Sequence, residues 1–159
     1  MIRRALFILL MMTIGLPAYA QSVGRSTGHD IPRFVSQKFD KMRVRRGPGS
    51  DYMIDWEFLR KGMPLFLTKE FGQWRLIQDA EGFGGWVHQS QITGRRTVQV
   101  IAATDIRMRA GPNMPAKATF ERNVIADVLE CQVDWCKISA QGFRGWAPKS
   151  ALWGATAAP

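Results

Sequence analysis

The chain has 159 residues, which at about 100–200 residues per domain allows one ordinary domain or two very small ones and excludes a large enzyme. Lys and Arg total 22 against 13 Asp and Glu, a formal net charge of +9. With 22% charged and 46% hydrophobic residues, the chain is neither disordered nor a multi-span membrane protein.

Residues 1–20 read as a secretory signal peptide. Arg3 and Arg4 precede an apolar run from Ala5 to Ile14, and Ala18-Tyr19-Ala20 places small residues at −3 and −1 of a cleavage site. The run is about ten residues, well short of the roughly 20 a bilayer-spanning helix needs. Cleavage after Ala20 would leave 139 residues carrying +7, because two of the 22 basic residues leave with the leader. We therefore expect a periplasmic or secreted protein, with no lipid anchor and no stable membrane insertion. Residues 21–32 are a polar lead-in bearing Gly and Ser, expected to be flexible.

From there the pattern is all-β. Short runs rich in β-branched and aromatic residues predict strands at 34–39, 42–45, 55–59, 64–70, 74–78 and 83–88, then at 98–102, 106–109, 124–131, 135–139 and 143–147. Gly, Pro, Asn and Asp separate them, and no stretch beyond the leader shows a sustained helical period.

The two series are copies. Met42-Arg-Val-Arg-Arg-Gly47-Pro48 returns as Ile106-Arg-Met-Arg-Ala-Gly111-Pro112, 64 residues on. Gly82-Phe83-Gly-Gly85-Trp86 returns as Gly142-Phe143-Arg-Gly145-Trp146, 60 residues on, and Trp74 matches Trp135. A duplicated unit of about 60 residues predicts a domain at 33–94, a second at 97–154 and a tail at 155–159. Each is a small bent barrel or sandwich with a Gly-Trp corner. Trp74, Trp86, Trp135 and Trp146 are expected inside, with Trp56 and Trp153 left open.

Those anchors carry a family resemblance. Arg45-Arg-Gly-Pro, Glu70-Phe-Gly-Gln-Trp74-Arg-Leu, Gly85-Trp86-Val-His88 and Gly94-Arg-Arg-Thr in the first unit resemble the bacterial SH3-like domain family in its tandem, exported form. Glu130-Cys131, Asp134-Trp135-Cys136-Lys-Ile, Gly145-Trp146 and Leu152-Trp153-Gly154 repeat the resemblance in the second. It covers nearly all of 33–154 and implies two tandem SH3-like β-barrels. Members include cell-wall-targeting modules and many proteins of unassigned role. The second unit departs from the pattern at Pro112-Asn-Met-Pro115 and at Ala147-Pro148, where a proline interrupts the last strand. If one unit has lost a binding surface, the second is expected to be the one.

The chain's two cysteines, Cys131 and Cys136, flank a tight turn between predicted strands, and an even pair in an exported protein reads first as a disulfide. Without a nearby His they cannot complete a zinc site, and the spacing is not Cys-x-x-Cys. In the repeat alignment Glu70 and Arg75 fall on these positions, predicting a cross-strand ion pair worth only about 0.2–1 kcal/mol.

No catalytic residue, metal site or cofactor is expected. His88 with Asp79 or Ser90 is the nearest to a catalytic group, but no nucleophile elbow or metalloprotease motif accompanies it. Asp51, Asp55 and Glu57 read as solvated loop and strand faces, and Gly82–Gly85 as a β corner with no helix to hold a phosphate.

A binding role has more support. Arg43, Arg45 and Arg46 lie just before Tyr52 and Trp56, and the second unit offers Arg107 and Arg109. Guanidinium forks suit carboxylate or phosphate, and neighbouring rings suit a sugar or peptide. The plainer alternative is that these arginines only solvate the outer face. The expectation is a non-catalytic binding protein that recognises an anionic component of the cell envelope such as peptidoglycan. The alternative is an adaptor that docks on an envelope protein. Export removes nucleic acid as a partner.

Overall fold

The computed structural model describes residues 22–155. The leader with its cleavage point, and the tail beyond Ala155, lie outside the described residues.

Two short strands, β1 (Ser22–Val23) and β2 (Asp30–Ile31), pair as a hairpin ahead of two seven-stranded antiparallel sheets. The first sheet holds β3 (Arg33–Gln37), β4 (Met42–Arg45), β5 (Ile54–Phe58), β6 (Pro64–Phe71), β7 (Trp74–Gln78), β8 (Gly84–His88) and β9 (Ile92–Thr93). The second holds β10 (Thr97–Val100), β11 (Thr104–Arg107), β12 (Ala116–Phe120), β13 (Ile125–Cys131), β14 (Trp135–Ala140), β15 (Phe143–Pro148) and β16 (Leu152–Trp153). The spatial orders, β5-β4-β8-β7-β6-β3-β9 and β12-β11-β15-β14-β13-β10-β16, are the same order twice. A 3-10 turn precedes the last strand of each, at Gln89–Gln91 and Lys149–Ala151.

Alternation of side chains across the pleat gives each sheet one buried face, around which it curls. Met42, Val44, Leu65, Leu67, Ile77 and Val87 fill the first core, and Val98, Val100, Ile106, Cys136, Ile138 and Ala147 fill the second. Along β4, Met42 and Val44 are fully buried while Arg43 is exposed. The Gly-Trp corner depends on close approach. A Cβ on Gly85 would stand 2.8 Å from the Arg45 carbonyl oxygen, and one on its copy Gly145 2.9 Å from the Arg107 carbonyl oxygen, so glycine lets β8 and β15 lie against β4 and β11 there.

Five features depart from the sequence expectation. The repeat offset in the first block is 62, not 64: Val44 and Ile106 are both fully buried, Met42 pairs with Phe58 as Thr104 pairs with Phe120, and Arg45 opposes Trp86 as Arg107 opposes Trp146. A slip of two residues keeps every side chain on its own face, so alternation alone does not detect it. β12, β16 and β9 were not foreseen, because Ala116-Lys-Ala-Thr-Phe120 is poor in strand formers and the other two are only two residues long. Pro148 does not interrupt β15 but ends it, opposite Trp135, where a missing N–H is tolerated. Of the four tryptophans expected inside only Trp146 is buried; Trp74, Trp86 and Trp135 are half-buried.

The fifth departure is the largest. Residues 22–31, expected as a flexible lead-in, form the β1–β2 hairpin, and Glu70 holds it. The Glu70 carboxylate accepts from the backbone N–H groups of Ser26 and Thr27, from the Thr27 hydroxyl at 2.7 Å and from Arg33 at 3.2 Å, with Arg75 at 3.6 Å. The side chains of Glu70 and Arg75 are 1% and 2% exposed. The expected surface ion pair is thus a buried cluster. Burial opposes the charge on Glu70, but Thr27, Arg75 and Arg33 outweigh it and hold the carboxyl below its ordinary value. In the second unit the matching pair, Cys131 opposite Cys136, is bonded through sulfur as expected.

The two barrels are packed together. Trp153 meets Phe34 edge-on, with ring centroids 5.2 Å apart, and Phe66 at 6.3 Å. Ser36 and Thr97 share a buried hydroxyl contact at 2.6 Å, and Thr97 donates to the Gly62 carbonyl. Trp153→Ala is expected to lower stability by about 2 kcal/mol and to split one thermal transition into two, read by scanning calorimetry.

Candidate functional site on the early loop of the first barrel

β4, the loop 46–53 and β5 carry all five residues that the sequence singled out in the first unit. Tyr52, Met53, Ile54 and Trp56 are exposed, and so is Phe83 from the turn before β8. Trp56 and Phe83 meet edge to face, with centroids 6.4 Å apart and planes at 85°. Tyr52 lies against the backbone of the loop, and a Cβ on Gly47 would stand 2.4 Å from its ring. The glycine thus lets an aromatic ring rest flat on the chain and remain half exposed. The result is an apolar, ring-bearing surface on a folded barrel.

The charges around it are not a set of free forks. Arg43 pairs with Glu57 at 3.3 Å, and Lys41 reaches the other Glu57 oxygen at 2.6 Å. The Lys41 hydrogen bond, helped by the charges of Lys41 and Arg43, holds Glu57 below its ordinary value against some desolvation. Arg46 pairs with Asp55, and Arg45 donates to the Tyr52 carbonyl. Asp55 and Glu57, read from sequence as solvated, serve as partners for those arginines. Four cations (Lys41, Arg43, Arg45, Arg46) stand here against three carboxylates (Asp51, Asp55, Glu57), so little of the chain's net charge is concentrated at this face.

Arg107 repeats the role of Arg45. It donates to the Met114 carbonyl at 2.6 Å, again seven residues on, and also reaches Asp105 at 3.5 Å. Both arginines close their loop rather than offer a fork to a ligand. Arg109 is exposed and has no ion pair among the described residues. With the offset of 62, Trp56 falls on Ala118 and Tyr52 on Met114, so the second barrel keeps the exposed Phe143 but lacks the rings beside it. Phe83 was missed in the sequence reading because it sits inside the Gly-rich corner, and its copy Phe143, equally exposed, was the available signal.

His88 does not face Asp79. Its ring nitrogens contact Ser90 Oγ and Gln73 Oε1, both at 2.8 Å, and the ring stacks edge-on against Trp74. Asp79 instead accepts from the N–H groups of Glu81 and Phe83 and shapes the turn before β8. Burial raises its pKa, and these hydrogen bonds partly offset the rise. No group of three or more His, Cys, Asp or Glu placed to hold a metal occurs among the described residues.

The sequence pattern of the bacterial SH3 domain matches the chain twice, at residues 38–94 and 102–154. The chain belongs to that family. It is 33% identical over 119 residues to a Bacillus subtilis (strain 168) protein, YrvJ, described provisionally as an N-acetylmuramoyl-L-alanine amidase. That match spans 67% of this chain and 23% of the Bacillus protein. Structures of NlpC2 and NlpC1 from Trichomonas vaginalis align over 77% and 82% of this chain and 48% of each of theirs, at 8% and 9% identity. Both have a TM-score of 0.36, too low to carry an argument about function. Among the described residues no helix is long and apolar enough to cross a membrane.

The loop-closing role of the two arginines is directly measurable. Arg45→Ala and Arg107→Ala should each lower stability by about 1 kcal/mol in denaturant titrations. Arg109→Ala should change it by no more than about 0.5 kcal/mol.

Proposed function

We propose that this protein is a non-catalytic cell-wall-binding protein that acts outside the cytoplasm, and that its first barrel binds peptidoglycan through the Trp56–Phe83 face. The observation that carries the reading is an exposed aromatic pair held edge to face on a rigid barrel. Flat rings cover the apolar faces of sugars and short peptides without losing much side-chain entropy. The paired charges around them, Arg43 with Glu57 and Arg46 with Asp55, supply donors and acceptors at the rim. Membership of the bacterial SH3 domain family, and the similarity to a protein described provisionally as an N-acetylmuramoyl-L-alanine amidase, support a wall component as the ligand.

The non-catalytic part of the reading rests on how the titratable groups are used. His88 is engaged at both nitrogens, Asp79 is committed to a turn, and the two cysteines are bonded. The arginine contribution is smaller than a reading of net charge implies, because the local cations face nearly as many carboxylates. The second barrel, with Ala118 in place of Trp56, contributes rigidity more than contact area.

Cosedimentation with purified sacculi tests this. The wild-type protein should pellet at low salt and retain most of its binding at about 0.3 M salt, and Trp56→Ala should weaken binding by at least about fivefold. Equal binding of wild type and Trp56→Ala would refute the aromatic face. No pelleting at low salt would refute the wall as ligand and favour a protein partner.

A further inference from the structure

A cavity of about 600 Å³ lies between the β1–β2 hairpin and the sheet edge at β3 and β9. Three guanidinium groups line it from three separate places: Arg33 on β3, Arg75 on β7 and Arg96 in the segment joining the barrels. Arg75 is itself 1% exposed, and it is fixed by the Gly72 and Trp74 carbonyls and by Gln89 Oε1 at 2.7–2.8 Å. Gln89 therefore turns its amide NH₂ group away from Arg75, and that group has no partner among the described residues. The Arg96 side chain donates one long hydrogen bond, to the Gly154 carbonyl at 3.3 Å, and no carboxylate pairs with it among the described residues. Among the described residues lining the cavity Asp30 is the one acid, and Glu70 accepts from Thr27 and pairs with Arg33 and Arg75. The remaining lining is apolar, with Pro32, Phe34, Val35 and Ile92.

We propose that this cavity is a second binding site, for a short peptide ending in a free carboxylate. Glu70 and Asp30 offset two of the three guanidinium charges, which leaves one net positive charge, and Arg96, with no carboxylate partner among the described residues, can present two parallel N–H donors to a planar carboxylate. The Gln89 amide adds a donor, and the apolar side accepts methyl-sized side chains. The volume lies within the range of about 300–1,000 Å³ typical of small-molecule sites. The hairpin supplies one wall of the site through Thr27, His29 and Asp30. The second barrel has neither the hairpin nor the charges, since Cys131 and Cys136 occupy the places of Glu70 and Arg75. The inference does not rest on the aromatic face, which can fail its own test without touching it.

Titration of the full folded chain with acetyl-alanyl-alanine, its C-terminal amide and inorganic phosphate, followed by backbone amide NMR, decides the matter. The acid should saturate in the millimolar range and move the amides of Arg33, Phe34, Ile92 and Thr93. The C-terminal amide should bind at least about tenfold more weakly, and Arg96→Gln should weaken the acid by a similar factor. Equal binding of acid and amide, or no saturation by about 50 mM, would overturn the proposal. Phosphate binding as tightly as the acid would also overturn it, by making the cavity a general anion site.

Discussion

Each barrel is closed at one cross-strand position beside the β6–β7 turn or its copy, and the two copies solve the same problem by different chemistry. A unit of about 60 residues buries only about 60% of the surface its unfolded chain exposes, so one additional constraint weighs heavily. In the second barrel Cys131 and Cys136 are joined covalently, which on the chain-entropy account contributes about 2 kcal/mol for so short a loop. In the first, Glu70 and Arg75 face each other across the same pair of strands, and a buried ion pair is favourable only when its remaining hydrogen-bonding capacity is met. The β1–β2 hairpin meets it through Ser26, Thr27 and Arg33. A segment that looks dispensable by composition is therefore part of the first barrel.

This substitution sets what each barrel has available. The disulfide needs no cover, and in the second barrel the turn at 132–134 stands exposed. The ion cluster needs cover, and supplying it creates the cavity in which Arg75 is held. The loop between β4 and β5, and its copy between β11 and β12, is closed by one arginine, Arg45 or Arg107, donating to a carbonyl seven residues on. With that support shared, the loops are free to differ in their rings, and Trp56 against Ala118 is the outcome. The contact of Trp153 with Phe34 and Phe66 then fixes the two differing surfaces relative to one another.

Much of the fold was legible because its signals are local. The Gly-Trp corner, the alternation in β4 and the strand-rich runs each report their own surroundings, and the duplication reports them twice. The Cys131–Cys136 bond was legible from the even pair, its spacing across a tight turn and the expectation of export. What was hidden depends on residues distant in the chain. Glu70 and Arg75 read as an exposed pair because their cover lies more than 40 positions away in a polar segment that carries no strand signal of its own. The two-residue slip between Val44 and Ile106 was hidden by the period of the β-strand itself. Arg45 and Arg107 read as ligand forks because nothing in sequence shows a guanidinium returning to its own backbone. Tyr52 and Trp56 were recognisable as candidates, whereas their relation to Phe83 required the turn before β8 to fold beside β5.

The central claim is that an ion cluster and a disulfide hold equivalent positions in two barrels, and that each secures its own barrel. Amide hydrogen exchange on the folded chain tests it most directly, comparing wild type, reduced protein and Glu70→Gln. Reduction should speed exchange across β13 and β14 and leave β6 and β7 protected. Glu70→Gln should speed exchange in β6, β7 and the hairpin, and leave β13 and β14 protected. Glu70 has a lowered pKa in the fold, so the stability it supplies is present above its unfolded value and is lost as pH falls. The effect of Glu70→Gln should therefore be full near pH 7 and fade below about pH 4. Exchange in β6 and β7 that is unchanged by Glu70→Gln at neutral pH, or that rises equally in both barrels on reduction, would contradict the account.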